Sequence, residues 1–447
     1  MSIMKRKNIL HGALAFTTFL FAIAWLPAPD LFDVACILLI LLFVPIVLLP
    51  RSTDLRRDPL VRLGLLFFGY IVVSIIWHRM TLPDIFPPTT SDRRFLRVLY
   101  FIALAYTIVW NRWLSAWHLL LIAISGLLLY LAWTFDLAEW QAGWQGERID
   151  FGIHNAQHTG VVFATCALGL GIFTPRFVAW GRGMPAMIRV LGLSVWAAVL
   201  LLSCWGVLVS QTRAVWLGLM ITLLCLPVIF VFAHMLRGKP AFSLRKSALV
   251  GLSGIGLLAL VAVWMDVPCI IGERLEAEVV TWEELKEIAA HESQDRSSIK
   301  DRVATWSAAV GWIAERPLMG WGGRGSRPLI DHSPLFSERF KETYNHLHSS
   351  YLQVVLEVGL IGAGFLLALI TLVGRACIKA FQRGDMPLDV FLFGGLFFAF
   401  WLVVNIFESY IIFPTGTYVV AIVTGFLYSF CLISPTRPAE RRGPALG

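Results

Sequence analysis

The sequence predicts an all-α, polytopic integral membrane protein of about twelve transmembrane helices with one large helical loop on the outer side. Its composition and the length of its apolar runs predict it. Of the 447 residues, 57% are apolar and only 15% are charged, against about 25% charged in a typical soluble domain. The mean hydropathy is +0.73. A surface made from so few charges would leave large apolar patches in water, which excludes a soluble enzyme, a disordered regulator and a nucleic-acid-binding domain. The apolar residues also fall in runs close to the ~20 residues that a helix needs to cross a bilayer, and the 18 Trp suit anchoring at membrane interfaces.

The expected spans run Ile9–Leu26, Leu31–Leu49, Leu60–Trp77, Phe95–Trp110, His118–Phe135 and Asn155–Phe173. They continue with Val190–Val209, Ala214–Leu236, Ala248–Met265, Tyr351–Val373, Leu388–Phe407 and Thr415–Ile433. The Phe95 run is the weakest, being short and carrying Arg97. The first run is read as a span and not as a cleaved leader, because Leu26-Pro27-Ala28-Pro29-Asp30 lacks a small-residue cleavage site and a second span follows at once.

Lys+Arg 37 against Asp+Glu 29 gives a net charge of +8. In a membrane protein this excess sets topology. Alternate loops hold Lys5, Arg6 and Lys7, then Arg51, Arg56 and Arg57, and later Arg176, Arg182, Arg189, Arg237, Arg375, Lys379, Arg383 and Arg437. That richer side is expected to be cytoplasmic, with both termini on it. The organisation expected is membrane helices over 1–265, a periplasmic loop domain over 266–350, further membrane helices over 351–433 and a cytoplasmic tail over 434–447. The seven Cys show neither metal-ligand spacing nor a disulfide framework.

The long loop reads as two amphipathic helices and an irregular stretch. The first, about Glu273 to Glu292, repeats Leu275, Val279, Trp282, Leu285 and Ile288 at helical spacing, with an acidic opposite face read as solvated. The second, about Ser298 to Glu315, carries Ile299, Val303, Trp306, Val310 and Ile313. Arg302 and Arg316 stand fourteen residues apart, hence on nearly one face, and Pro317 ends the helix. The stretch Pro317-Leu318-Met319-Gly320-Trp321-Gly322-Gly323-Arg324-Gly325 suits either a phosphate cradle or simply a tight loop.

The loop closes on Tyr344-Asn345-His346-Leu347-His348-Ser349-Ser350 before an apolar helix containing Gln353 and Glu357. A carboxylate inside a membrane helix is costly and is a site candidate, or else the partner of an arginine from another span. Ser350-x-x-Gln353 is a capping-box pattern. With Ser350 as N-cap both histidines precede the helix and periodicity does not choose between them. The residues alone leave a catalytic and an interfacial structural role open for the pair.

Taken together, these residues resemble the bacterial O-antigen ligase and polymerase superfamily, and most closely its lipopolysaccharide O-antigen ligases. The carrying features are Arg302-x-x-x-Trp306, Arg316-Pro317-Leu318-Met319-Gly320-Trp321-Gly322, and His348-Ser349 followed nine residues on by Gly359-Leu360-Ile361-Gly362. Arg213-Ala214-Val215-Trp216-Leu217 matches the family's Arg-x-x-x-Leu motif at the outer start of a span. The topology resembles the family's throughout, whereas the motifs are confined to about residues 210–217 and 300–362.

The resemblance implies a GT-C-like glycosyltransferase of the bacterial inner membrane, with its active site facing the periplasm. It would move polysaccharide from undecaprenyl diphosphate to a sugar of the lipid A–core oligosaccharide. The family's essential histidine falls on His348 and its essential arginines on Arg213 and Arg302. Arginines bind phosphate oxygens in bidentate fashion and stabilise developing charge, and the sequence has no Asp-x-Asp for a metal. The reading is therefore metal-independent, inverting transfer without a cofactor. Arg213 and Arg302 clamp the diphosphate with Arg316 assisting, and His348 acts as general base or orients the acceptor hydroxyl.

His346, His154, Arg93, Arg94 and Glu357 join as expected substrate contacts. His154 and His158 share a helix face, where capping or substrate contact is favoured over a metal pair. Arg93 and Arg94 suit donor or core phosphates, or equally lipid headgroups. The rival readings are an O-antigen polymerase or O-linked protein oligosaccharyltransferase of the same superfamily, and a twelve-span transporter. The transporter is disfavoured by the absence of visible internal repeats. The partners expected are the two lipid-linked substrates and membrane lipids, with no nucleic acid.

Overall fold

A computed structural model of the chain describes residues 3–48, 53–82, 93–111, 113–238 and 298–432. The expected span Ala248–Met265, the first amphipathic loop helix and the C-terminal tail lie outside the described residues. Among those described, the secondary structure is helical, and eight helices are long and apolar enough to cross a membrane.

The first part of the chain forms α1 (Ile3–Ala24), α2 (Pro29–Leu48), α3 (Thr53–Arg57) and α4 (Pro59–Thr81). Asp58 caps α4, its Oδ1 accepting the Leu60 amide at 2.8 Å, and Pro59 follows where no amide is needed. The Tyr106 and Tyr428 hydroxyls also donate to Asp58, each at 2.5 Å. The expected span Phe95–Trp110 is corrected. It is broken into α5 (Arg93–Leu96), a 3₁₀ turn (Arg97–Leu99) and α6 (Tyr100–Trp110). The 11 residues of α6 reach only ~17 Å, little more than half a hydrocarbon core. Phe101 through Ile108 are all buried, so α6 is a core helix enclosed by protein.

Next come α7 (Ala116–Trp133), α8 (Leu137–Trp144), α9 (Ala156–Gly181), α10 (Ala186–Val209) and α11 (Arg213–Leu236). After the undescribed stretch follow α12 (Ser298–Glu315), α13 (Ser326–His332), α14 (Glu338–Thr343), α15 (Ser350–Arg383), α16 (Leu388–Phe407), a 3₁₀ turn (Tyr410–Ile412) and α17 (Pro414–Cys431). Helix α17 is the central post, packing on α6, α7 and α15. Pairs α9–α10, α11–α16, α1–α7 and α4–α15 surround it. Side chains such as Phe163, Phe393, Phe397, Phe400 and Phe426 fill the middle.

The two ends of the bundle differ. At one, arginines pair locally: Arg176 with Asp389, Arg383 with Asp385, and Arg237 donates to the Met386 carbonyl. These residues lie at or near the helix ends that flank the loops of richer basic content. The other end gathers the starts of α9, α11, α15 and α17, the end of α16, and the loop helices.

Helix α15 is interrupted at Gly359, with φ 63° and ψ −177°. This conformation is essentially glycine-only. The interruption releases backbone groups that the glycine-rich stretch takes up. The Trp321 and Gly322 amides donate to the Leu356 and Glu357 carbonyls at 2.7 and 2.9 Å, and the Leu360 amide donates to the Pro317 carbonyl at 2.8 Å. A Cβ on Gly359 would stand 2.1 Å from the Leu318 carbonyl oxygen. The tight-loop reading of the glycines is thus the one the fold uses.

Candidate active site

The loop before α15 is positioned from three sides. Ser349 is the N-cap residue and Ser350 the first helical one, one position earlier than the capping-box pattern predicts. Gln353 still reaches back, its Oε1 accepting the Leu347 amide at 2.9 Å. The Trp306 indole, on α12, donates to the Leu347 carbonyl at 2.8 Å. The Ser350 hydroxyl donates to the Glu408 carbonyl at 3.0 Å, and the Ser349 amide donates to the Ser409 hydroxyl at 3.1 Å. Leu347 is buried and acts as the anchor between two partly exposed histidines.

His346 and His348 both face Glu408, the residue that ends α16. His348 Nδ1 lies 3.1 Å from Glu408 Oε2 and His346 Nδ1 lies 3.4 Å from Oε1. The carboxylate is 1% exposed, the two imidazoles 14% and 12%. Burial by itself would raise the Glu408 carboxyl. The hydrogen bond and charge of His348, the charge of His346 and the Ser409 amide outweigh it and hold the group down at about 2. Burial pushes His346 down to about 3, with His348, His154 and Arg94 adding to the effect and Glu408 opposing it. At neutral pH His346 is therefore uncharged. The groups that keep the carboxylate ionised are then His348 Nδ1 and the Ser409 amide, whose bond is 2.7 Å.

Around Phe413 the cluster extends to His154 and His158, with ring centroids 4.7 and 5.0 Å from that phenyl ring, and to His346 at 5.2 Å. Asn155 caps α9 and fixes this corner. His158 is fully buried, and neither ring nitrogen has a hydrogen-bond partner among the described residues. His154 and His348 both hold left-handed backbone, φ 60° and 49°, which costs of order 1–3 kcal/mol each. Gln211, just before Arg213, does so too, at φ 45°. Such strain collects where geometry serves a site.

Arg213 opens α11 beside Thr212, whose hydroxyl donates to the Ala156 carbonyl at 3.0 Å. This joins the arginine's helix to the histidine corner. Arg302, on α12, lies close enough to the buried Tyr410 to act on it electrostatically. Arg316 is elsewhere. Fourteen residues on, it stands roughly 21 Å further along the axis, with its guanidinium 4.8 Å from the centroid of Trp321. Sharing a helix face does not bring Arg302 and Arg316 to one site.

Arg94 forms an ion pair with Glu357, whose Oε1 also accepts from Gln353 Nε2 at 2.6 Å and lies 3.3 Å from the Ser326 hydroxyl. Both are therefore engaged with each other, as the arginine-partner reading of Glu357 anticipates. Arg93 opens the same short helix, α5, and its side chain lies outside the described set. Glu408 is the residue that sequence reasoning missed. A signal was present, since it is the one charged residue between Asp389 and Arg437.

Residues 198–367 match the family model described as O-antigen ligase. The matched region covers less than half of the chain. It contains Arg213, Arg302, Arg316, His346, His348 and Glu357, so the residues that carried the resemblance fall within it. Glu408, Arg94, His154 and His158 complete the site from outside that region. A search of curated proteins gives no match.

Proposed function

We propose that this chain is an O-antigen ligase. It would transfer polysaccharide from undecaprenyl diphosphate to lipid A–core oligosaccharide at the periplasmic face of the bacterial inner membrane. The observation that carries the reading is His348, held by the buried carboxylate of Glu408 at the edge of the membrane helices and within the ligase family region.

In the proposed reaction His348 Nδ1–H donates to Glu408, leaving Nε2 as the proton acceptor. The acceptor sugar hydroxyl gives its proton to Nε2 as its oxygen bonds the anomeric carbon of the donor. The bond from that carbon to the diphosphate oxygen breaks with inversion, and undecaprenyl diphosphate leaves. Glu408 stabilises the imidazolium that forms, the role a carboxylate plays behind a catalytic histidine. Arg213 and Arg302 neutralise the departing diphosphate. No metal is required in this scheme.

Reconstitution tests it. Purified chain with undecaprenyl-diphosphate glycan and lipid A–core is expected to extend the core with or without EDTA. Glycan polymerisation or protein glycosylation in place of core extension would move the assignment to a polymerase or an oligosaccharyltransferase. Loss of transfer with EDTA, restored by a metal, would end the arginine scheme.

A further inference from the structure

The His346–His348–Glu408 cluster has a property that the transfer scheme does not use. His346 Nδ1 accepts the His348 amide at 3.2 Å, so this nitrogen presents its lone pair. The same atom lies 3.4 Å from Glu408 Oε1 with no proton between them, a repulsive pair that a cation taking the lone pair from the His348 amide would relieve. The ligand atoms of the three side chains all lie within 4.8 Å of one another. A tetrahedral Zn²⁺ with bonds of 2.0–2.1 Å sets neighbouring ligand atoms about 3.3 Å apart. The two imidazole–carboxylate separations, 3.1 and 3.4 Å, bracket that spacing.

We propose that His346, His348 and Glu408 bind one transition-metal ion, of which Zn²⁺ fits best, and that the bound ion holds off transfer by occupying His348. The inhibitory half rests on the transfer reading above; the binding half does not. Two imidazoles and one carboxylate suit a borderline ion such as Zn²⁺ better than Mg²⁺ or Ca²⁺, which favour all-oxygen shells. Both imidazoles are partly exposed, which gives an ion a route in. The Ser409 amide holds the carboxylate from behind, as groups behind metal ligands commonly do. Coordination through His348 Nδ1 moves that ring's proton to Nε2. The ring stays neutral, but Nε2 becomes a donor and no longer accepts the proton of a sugar hydroxyl.

The full-length chain in detergent, stripped with EDTA, is titrated with ZnCl₂ by calorimetry, and retained zinc is counted after desalting. One Zn²⁺ per chain is expected, with affinity weakened at least roughly tenfold in Glu408→Gln and in His346→Gln. A cooperative melting transition of each variant in EDTA would show that it is folded. No retained zinc, or equal affinity in both folded variants, overturns the site. In the reconstituted reaction Zn²⁺ is expected to slow transfer and EDTA to restore it. Stimulation, or an unchanged rate at saturating Zn²⁺, overturns the inhibitory half. No core extension under any metal condition overturns the transfer reading and the inhibitory half with it, whereas the calorimetry still decides the binding half.

Discussion

Glu357 and Glu408 are both buried carboxylates at the same end of the bundle, 0% and 1% exposed, and they meet their charge in opposite ways. Glu357, inside α15, is saturated by Arg94 and by the side chains of Gln353 and Ser326. Glu408, at the end of α16, faces two imidazoles that retain some solvent contact. One carboxylate is closed by a permanent cation and belongs to the scaffold. The other is bonded to an imidazole, whose ring nitrogens can both donate and accept a hydrogen bond. Gln353 joins the two, donating to Glu357 and accepting from Leu347 between the histidines. What decides a buried carboxylate's work is therefore its partner and not its burial.

Substitutions can break this contrast. The largest expected effect is His348→Ala, which removes the proposed base and should slow core extension by about 10²–10⁴-fold. Normal rates in the reconstituted assay would remove the histidine from the reaction. Glu408→Gln keeps the shape and loses the charge, so transfer should fall roughly ten- to hundredfold and its pH profile should shift. An unchanged pH profile would make Glu408 a second scaffold residue like Glu357.

Arg94→Met should act on stability instead. It leaves Glu357 buried without its cation, at a cost of about 3–5 kcal/mol, and Glu357→Gln in the same chain should restore most of it. Melting temperatures in detergent report both, and an unshifted single variant would show that Glu357 does not depend on Arg94.

Acid provides a further test. Unfolded His346 takes up its proton near 6.5, whereas folded His346 does so only near 3. The unfolded state binds more protons between these values, so stability rises with pH through that window and is complete above it. Glu408 acts with the same sign lower down. Its contribution is present above its ordinary value of 4.5 and is lost as pH falls towards 2. The melting temperature should therefore decline on acidification from pH 6.5, and His346→Gln should flatten the upper part of the curve. A wild-type curve flat from pH 7 to 4 would contradict a neutral buried His346. The smallest effect expected is for Trp306→Phe, which loses the indole bond to Leu347 at about 1 kcal/mol and loosens both histidines. A melting temperature equal to wild type would show that this bond does not hold the loop.

The membrane helices were legible because hydrophobic length is a local property: Leu388–Phe407 is a span in both sequence and structure. The Phe95 run misled for a related reason. Composition shows that residues are apolar but not whether lipid or protein surrounds them, and α6 is enclosed by protein. The motif residues His348, Arg213 and Arg302 are legible through resemblance, since the residues alone do not choose between His346 and His348. Glu408 was not read because its partner stands 60 residues away and nothing in its own neighbourhood repeats. Helical phase misplaced Arg316, because phase gives direction around an axis and is silent about distance along it.

The break at Gly359 bears on how such chains can be recombined. The stretch Pro317–Gly322 does not close on itself. Its amides end on carbonyls of a membrane helix, and that helix's next amide returns to Pro317. A loop cut out at residue 350 and grafted onto another bundle would arrive with these donors unmatched. An exchange that keeps the fold has to carry Leu356–Ile361 along with the loop, so the unit that can be transplanted ends about three turns inside the helix rather than at its start.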